Sequence, residues 1–474
     1  MNQFEKLVMK VEEGNARTAV IGLGYVGLPL LTAFAGAGYD ALGIDIDSSR
    51  IKSIRRGKSY IQDIDDAEMS ELVDSGKLTV TDDYSRLADA DVVSICVPTP
   101  LRKSKSPDIS YIVDALSRMS EHIKPGMLII LESTTYPGTT EEIVLPMLTG
   151  RFRDEEYSDI CRSSVLEQAQ EVLMKAQGRA GEFSVPSPGS DFFLAFSPER
   201  VDPGNPVFKA KDIPKVVGGV TERCCRIASL FYEKIFPSVI RVSSTRTAEM
   251  VKLMENTFRS VNIALANEMA LMSDSLGVDI WEVIEAASSK PFGFMPFYPG
   301  PGLGGHCIPI DPLYLTWKAK VNGFDPKFIE LAGELNRRMP KYVVSKVQDR
   351  LNGRYKSLSG SRVMVIGVAY KKNVSDTRES PSVEIIKLLR KKGADVAYHD
   401  PMVPRLLSET LDMFSVELNR LEIIRSDCVI IATDHSMIDY ELIEKYADTV
   451  VDTRGVTGKR KKAVAEGSVR EVTL

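Results

Sequence analysis

The sequence predicts an α/β protein in which two doubly wound parallel sheets stand on either side of a helical middle. Three observations carry this. An apolar strand runs straight into a glycine-spaced turn near the N-terminus, TAVIGLGYVG. A stretch beginning at Ser243 holds no proline through Gly277 and is rich in Met, Leu and Ala. After Ser357 the strand pattern of the first part returns. At 474 residues the chain is too long for one ordinary core and suits two or three domains.

The first landmark is the turn itself. Thr18–Ile21 reads as a buried strand, Gly22-x-Gly24-x-x-Gly27 follows at once, and an apolar helix opens behind it. The first glycine permits a tight turn, the second lets backbone approach a pyrophosphate, and the third allows close helix–strand packing. The helix N-terminus then faces the anion. Asp45 closes the next strand, ALGID, where a carboxylate accepts hydrogen bonds from ribose hydroxyls and repels a 2′-phosphate, favouring NAD over NADP. The plain alternative for Asp45 is a strand-end cap. DVVSICVPTP (Asp91–Pro100) and GMLIILESTTYPGTT (Gly126–Thr140) supply further buried strands of the same sheet. Ligands of such sheets sit at strand carboxyl ends. Thr99 and Thr134 are therefore either cofactor contacts or ordinary turn residues.

Residues 151–190 break the pattern with a polar run and a Ser/Pro/Gly exit, as an insertion would. DFFLAFSPERVDPGNP resumes with a strand and a turn carrying Glu199 and Arg200. The segment from Ser243 is a long helix with Ser/Thr capping and Gly277 as its stop. Lys252, Asn256 and Arg259 project from one face of it. That face is either functional or simply solvated. Residues 311–357 are mixed in character. Then SRVMVIGVAYK, ADVAYHDP, SDCVIIATDH and DTVVDTRG repeat the α/β pattern without the glycine fingerprint. Ser380-Pro381 reads as N-cap and first helical residue. Lys371, Lys372 and Arg378 stand just before it, suited to phosphate oxygens or else forming an exposed basic loop. The expected divisions are an α/β domain at 1–242 with an insertion at about 151–190, a central helical domain at 243–357, and a second α/β domain at 358–474.

Composition narrows the class. With 43% hydrophobic and 26% charged residues and a net charge of −5, nothing suggests a basic stripe for nucleic acid. No apolar run reaches transmembrane length, and the opening MNQFEKLVMKVEEGNAR has no leader core. The six cysteines are scattered without CxxC spacing, so no disulfide framework and no metal are expected. A reducing cytoplasm is the expected compartment.

One cysteine stands out. GPGLGGHCIPID (Gly300–Asp311) places Cys307 after a run of glycines that gives a substrate room. Cys307 is either a nucleophile or a buried structural thiol. An alcohol dehydrogenation needs no thiol. Carrying the aldehyde on to an acid does, because thiolate addition creates an adduct that can lose a second hydride to leave a thioester.

The motifs GLGYVGLPLLTAFA, VPTP, ESTTYPGTT, FSPERVDPGN, VKLMENTFRSVNIALANE, PGPGLGGHCIPIDP and AYKKNVSDTRES occur in this order. Through them the chain resembles the UDP-glucose/GDP-mannose dehydrogenase family over nearly its whole length. The string KPFGFMPFYPGPGLGGHCIPIDPLYLTWKA is most similar to the UDP-N-acetylglucosamine 6-dehydrogenases. The resemblance implies two Rossmann-like doubly wound domains joined by a long central helix that forms a homodimer core. It implies NAD-dependent, four-electron oxidation of a nucleotide sugar at C6, with Cys307 as nucleophile. Lys252 and Asn256 match residues at the reacting oxygen and the sugar. Asp311 and Thr134 match residues at the catalytic water, and Glu199 matches one that serves thioester hydrolysis. Gly22, Gly24, Tyr25, Val26, Gly27, Asp45, Arg50 and Thr99 fall on NAD contacts. Arg200, Arg259, Gly304, Lys371, Lys372 and Arg378 fall on substrate positions. Two departures stand out: Pro203 replaces a glutamate of UDP-glucose relatives, and His306 precedes the nucleophile in an open role. A two-electron β-hydroxyacid-type dehydrogenase and a non-catalytic NAD sensor are the rival readings, and neither explains the cysteine loop.

Overall fold

Strand β1 (Arg17–Ile21) pairs in parallel with β2 (Asp40–Ile44) on one side and β4 (Val92–Ile95) on the other. The structure, a computed structural model, describes residues 1–61, 64–102, 104–150, 186–201, 212–305 and 307–457. With β3 (Leu78–Thr81), β5 (Leu128–Leu131), β6 (Phe193–Phe196), β7 (Lys215–Gly219) and β8 (Val239–Val242), the sheet reads β3-β2-β1-β4-β5-β6-β7-β8. The order reverses between β1 and β4, the switch point at which doubly wound sheets hold ligands. The runs VVSI, LIIL and FLAF of β4, β5 and β6 are wholly buried, as parallel strands covered on both faces must be. Strand β7 alone runs antiparallel to its neighbour β6. Its N-terminal residue, Lys215, therefore lies at the same edge as the carboxyl end of β6. Helix α1 (Gly27–Gly36) follows the glycine turn and buries Leu28, Leu30, Leu31 and Phe34. Helix α2 (Glu222–Glu233) adds Phe231 and Tyr232 to the same core.

Two compact units emerge: Met1–Glu255 with Leu313–Gly323, and Asn256–Pro312 with Phe324–Leu474. The long helix expected from Ser243 is α3 (Thr245–Leu276), 32 residues that begin in the first unit and end in the second. At 1.5 Å per residue it is about 48 Å long. Gly277, at φ +70°, stops it, and the Val278 amide returns to the Ser273 carbonyl. Helix α4 (Ile280–Ser288) follows.

The stretch from 311 to 357, mixed in its residue pattern, is largely helical. It forms α5 (Asp311–Val321) and the 26-residue α6 (Lys327–Asn352). Pro340 lies inside α6, where it removes one helical hydrogen bond. Tertiary packing overrides that loss, because Val343, Val347 and Leu351, spaced by four, bury in the core of the second sheet. That sheet contains β9 (Arg362–Ile366), β10 (Asp395–His399), β13 (Cys428–Ile431) and β14 (Val450–Asp452) in the parallel order β10-β9-β13-β14. A short ribbon of β11 (Arg405–Leu407) and β12 (Asp412–Phe414) stands apart from it. Helix α7 (Pro381–Lys391) opens with the Ser380 cap and Pro381, as the sequence implies. Most of the polar run at 151–190, together with Pro203 and His306, lies outside the described residues.

Candidate active site

In the first unit the glycine turn divides into packed and open positions. Gly22 adopts φ +89°, and a Cβ there would stand 2.6 Å from the Cys96 carbonyl oxygen. A Cβ on Gly27 would stand 1.8 Å from the Gly22 carbonyl oxygen. Around Gly24 nothing lies within 4 Å of that position. Backbone is thus laid bare at Gly24, ahead of the N-terminus of α1, and a dinucleotide's pyrophosphate fits there. Tyr25 is half exposed and Val26 occupies the cap position of α1. Asp45 is buried, and its carboxylate accepts from the amides of Leu23 at 2.7 Å and Asp47 at 2.8 Å. Arg50 reaches the same carboxylate at 3.2 Å and lies over the Tyr60 ring. The Thr99 carbonyl accepts from the Tyr314 hydroxyl at 2.9 Å. Half-buried Thr134 opens a turn braced by the Thr135–Thr139 hydroxyl pair.

Two features of this unit escaped the sequence reading. Glu249, on α3, accepts from the amides of Gly138 and Thr140 and from the Thr140 hydroxyl. It anchors the far end of the Thr134 turn, and burial pushes its carboxyl up to about 7 against those donors. The second is a buried charge cluster at the strand carboxyl ends. Lys215 is 5% exposed, and its Nζ stands 2.5 Å from Glu132 Oε2 and 3.7 Å from Glu199 Oε2. The Tyr232 hydroxyl donates to the other Glu132 oxygen. Burial pushes the Glu132 carboxyl above its ordinary range. Burial also opposes the Lys215 cation, but the two carboxylates outweigh it and hold the lysine charged. Glu199 completes its bonding with the amides of Arg200 and Val201, both at 2.8 Å. Arg200 turns its guanidinium onto Glu255 of α3 and the Pro214 carbonyl. Lys252, one turn before Glu255, is buried and makes no ion pair with any carboxylate among the described residues.

In the second unit the cysteine loop is laced to the basic loop. The Gly305 amide donates to the Arg378 carbonyl at 3.0 Å. A Cβ on Gly304 would stand 2.6 Å from Tyr370 Cβ, and one on Gly305 would stand 2.8 Å from its ring. Glycine is required at both because Tyr370 lies directly against the backbone. At the loop's start the Gly300 amide donates to Asn267, whose own amide group donates to Asn336, and both side chains are buried. Cys307 is half-buried, and its carbonyl accepts from the amides of Ile310 and Asp311 at 3.0 and 2.8 Å. Asp311, first residue of α5 and 2% exposed, accepts from the Asn256 amide group at 2.6 Å. Arg259 stands half-buried one turn beyond Asn256. Lys371 is half-buried, Lys372 lies 4.0 Å from Asp434, and Arg378 folds its guanidinium onto Asp376. Burial raises Cys96 and pushes Cys428 up to about 12, so both stay neutral.

Family models match along the chain in order. The NAD-binding domain of the UDP-glucose/GDP-mannose dehydrogenase family matches residues 16–236, its central domain 246–338, and its UDP-binding domain 364–459. The chain belongs to the UDP-glucose/GDP-mannose dehydrogenase family. Among curated relatives, a UDP-N-acetyl-D-mannosamine dehydrogenase of Pyrococcus horikoshii is 37% identical, over 90% of this chain and 92% of its own. A UDP-N-acetyl-D-glucosamine 6-dehydrogenase of Pseudomonas aeruginosa is 36% identical, over 82% of this chain and 83% of its own. A solved structure of the P. horikoshii UDP-D-ManNAc dehydrogenase superposes with a TM-score of 0.77 at 34% identity, over 94% and 96% of the two chains. As a member of this dehydrogenase family, the protein is an NAD-dependent oxidoreductase acting on a nucleotide sugar. Among its described residues no helix is long and apolar enough to cross a membrane.

Proposed function

We propose that this dehydrogenase oxidises the C6 hydroxyl of a UDP-N-acetylhexosamine to the carboxylate, removing two hydrides from one sugar through a covalent adduct on Cys307. The observation that carries the reading is the junction in the second unit. There the glycine two residues before the thiol is bonded to the basic loop, and the Asn256–Asp311 pair stands just beyond. When bound, NAD supplies the hydride acceptor for each removal.

The chain's own residues then have these tasks. The C6 alcohol gives up a hydride and passes its proton to the water at Asp311, leaving the aldehyde, with Lys252 and Asn256 at its oxygen. The Cys307 thiolate adds to that carbon, and the Lys252 ammonium stabilises the resulting oxyanion. A second hydride leaves the same carbon and a thioester remains on sulfur. Glu199 takes a proton from water held by Asp311 and Thr134. The water oxygen adds, the carbon–sulfur bond breaks, and the carboxylate and thiol separate. With Pro203 in place of a second glutamate, hydrolysis rests on Glu199. Arg200, Arg259, Gly304, Lys371, Lys372 and Arg378 serve the nucleotide sugar. Asp45 and Arg50 serve the adenosine ribose, and Gly22, Gly24, Tyr25, Val26, Gly27 and Thr99 serve the rest of NAD. The functional parts are 1–242, 243–357 and 358–474. A homodimer formed through α3 would cover its exposed Leu265, Met272 and Leu276.

The test is a panel of UDP-N-acetylglucosamine, UDP-N-acetylmannosamine, UDP-glucose and GDP-mannose with NAD, counting NADH per sugar consumed. Two NADH per N-acetylated sugar are expected, with UDP-N-acetylglucosamine favoured by the Lys290–Ala319 motif and UDP-N-acetylmannosamine by the P. horikoshii relative. One NADH per sugar would remove the four-electron reading.

Replacing Asp45 tests the cofactor side. Asp45→Ala is expected to weaken NAD about tenfold, through the lost ribose bonds and a loosened Leu23 turn. It should also narrow the preference over NADP, because the charge opposing a 2′-phosphate is gone. An unchanged NAD/NADP ratio in binding titrations would overturn the ribose assignment.

A further inference from the structure

We infer that His435, with Asp400 behind it, is a positioning residue that fixes the basic loop and, through it, the loop of Cys307. His435 is fully buried just beyond β13. Its Nε2 lies 3.1 Å from Asp400 Oδ2, and its Nδ1 faces the Asn373 amide at 2.9 Å. The proton assignment follows from Asp400. That buried carboxylate also accepts from the amides of Val368, Ala369, Met402 and Val403. Burial works against its charge, but His435 and these donors hold its pKa below the ordinary carboxylate value. An ionised Asp400 accepts a hydrogen bond from Nε2–H, so Nδ1 is left as the acceptor that the Asn373 N–H requires.

Asn373 is a costly place for the chain. It sits at φ +59°, and Glu379, near the other end of the same loop, sits at φ +51°. Non-glycine residues stay in this region only where the surroundings hold them there. The surroundings here are the His435 bond, the reciprocal pair between Asn373 and Ser436, and the Thr433 hydroxyl on the Ala369 carbonyl. The same loop carries the Arg378 carbonyl that receives the Gly305 amide, and the Tyr370 side chain, whose Cβ lies against Gly304 and whose ring lies against Gly305. A path therefore runs from Asp400 through His435 to the Asn373 amide, and along the backbone of the basic loop to Tyr370 and the Arg378 carbonyl, which hold Gly304 and Gly305. His435 acts by setting the backbone of the basic loop. The inference rests on the proposed reading of this loop as the one that meets the nucleotide sugar.

Two substitutions at one position separate the roles. His435→Gln can still donate to Asp400 but offers no acceptor where Nδ1 stood. His435→Asn places its carbonyl oxygen near the Nδ1 position and keeps the bond to Asn373. With the full chain, UDP affinity is measured by calorimetry and KM for the nucleotide sugar is set against kcat. Iodoacetamide labelling of the Cys307 peptide is followed with and without UDP. His435→Gln is expected to raise both the UDP Kd and the KM about tenfold, with kcat changed much less and UDP protection of Cys307 weakened. His435→Asn is expected to restore most of the affinity. Asn373→Ala alters an exposed residue, keeps the backbone N–H on His435 and removes only the Ser436 pair. It is expected to raise KM by a smaller factor than His435→Gln. Wild-type KM and protection in folded His435→Gln would overturn the inference. So would His435→Asn as damaged as His435→Gln, which would mark a space-filling role. Should His435→Gln not fold, folded His435→Asn decides the matter: near-wild-type KM supports the inference and a rise of about tenfold overturns it. If the wild-type chain binds no UDP, the reading of the loop itself fails.

Discussion

Cys307→Ser is expected to abolish formation of the sugar acid, lowering kcat for the four-electron reaction on the order of a thousandfold or more. A serine hydroxyl stays protonated near neutral pH and does not capture the aldehyde, so the carbon never becomes an adduct that can lose its second hydride. NAD binding should be nearly intact, because Cys307 lies in the second unit while the glycine turn and Asp45 lie in the first. The first oxidation needs no sulfur, so a trace of NADH without acid is the expected residue of activity. The half-buried Cys225, whose thiol points at the Val217 carbonyl, provides a control substitution. Following NADH and uronate together checks the expectation, and uronate formation at the wild-type rate would dismiss the covalent route.

Lys215→Met is expected to have the largest effect on stability. It leaves Glu132 fully buried without its cation, a loss of about 3–5 kcal/mol when one partner of a buried pair is removed. Urea unfolding measures it. The pH dependence has a definite sign. The folded-state pKa of Glu132 is already raised, so its contribution to stability is complete below the ordinary carboxylate range and is lost as pH rises. Without Lys215 that pKa rises further, so the deficit relative to wild type widens from mild acid towards neutrality. A difference that stays flat with pH would mean that Lys215 is not the counter-charge. Adding Glu132→Gln to the lysine variant should recover much of the loss, because no charge then remains stranded.

Much of the architecture was legible because its signals are local. The glycine spacing announces the β1–α1 turn, and the unbroken apolar runs announce β4, β5 and β6. The proline-free stretch announces α3 to within a few residues at each end. Strand lengths were less legible: the run Asp91–Pro100 yields only Val92–Ile95 as paired strand, because proline and the turn residues end the ladder early. The bounds of α6 were not legible, because Pro340 interrupts a pattern that only packing against the second sheet reinstates. At the site, motif order brought forward Cys307, Asn256 and Asp311, and the last two do meet. Glu132 and Lys215 had no such signal. They lie in different strands, each reads alone as a polar residue beside a run of apolar ones, and their pairing exists only once β7 turns antiparallel. His435 was hidden in the same way, as one polar residue after an apolar strand.

The three glycines of the first turn would separate in a randomised library sorted twice. Sorting for soluble, protease-resistant chains should reject side chains at 22 and 27, where added carbon collides with fixed backbone, yet admit alanine at 24. Sorting the survivors for dinucleotide capture should then purge position 24 as well. One short motif would thus display, codon by codon, which of its members selection guards for shape and which for chemistry.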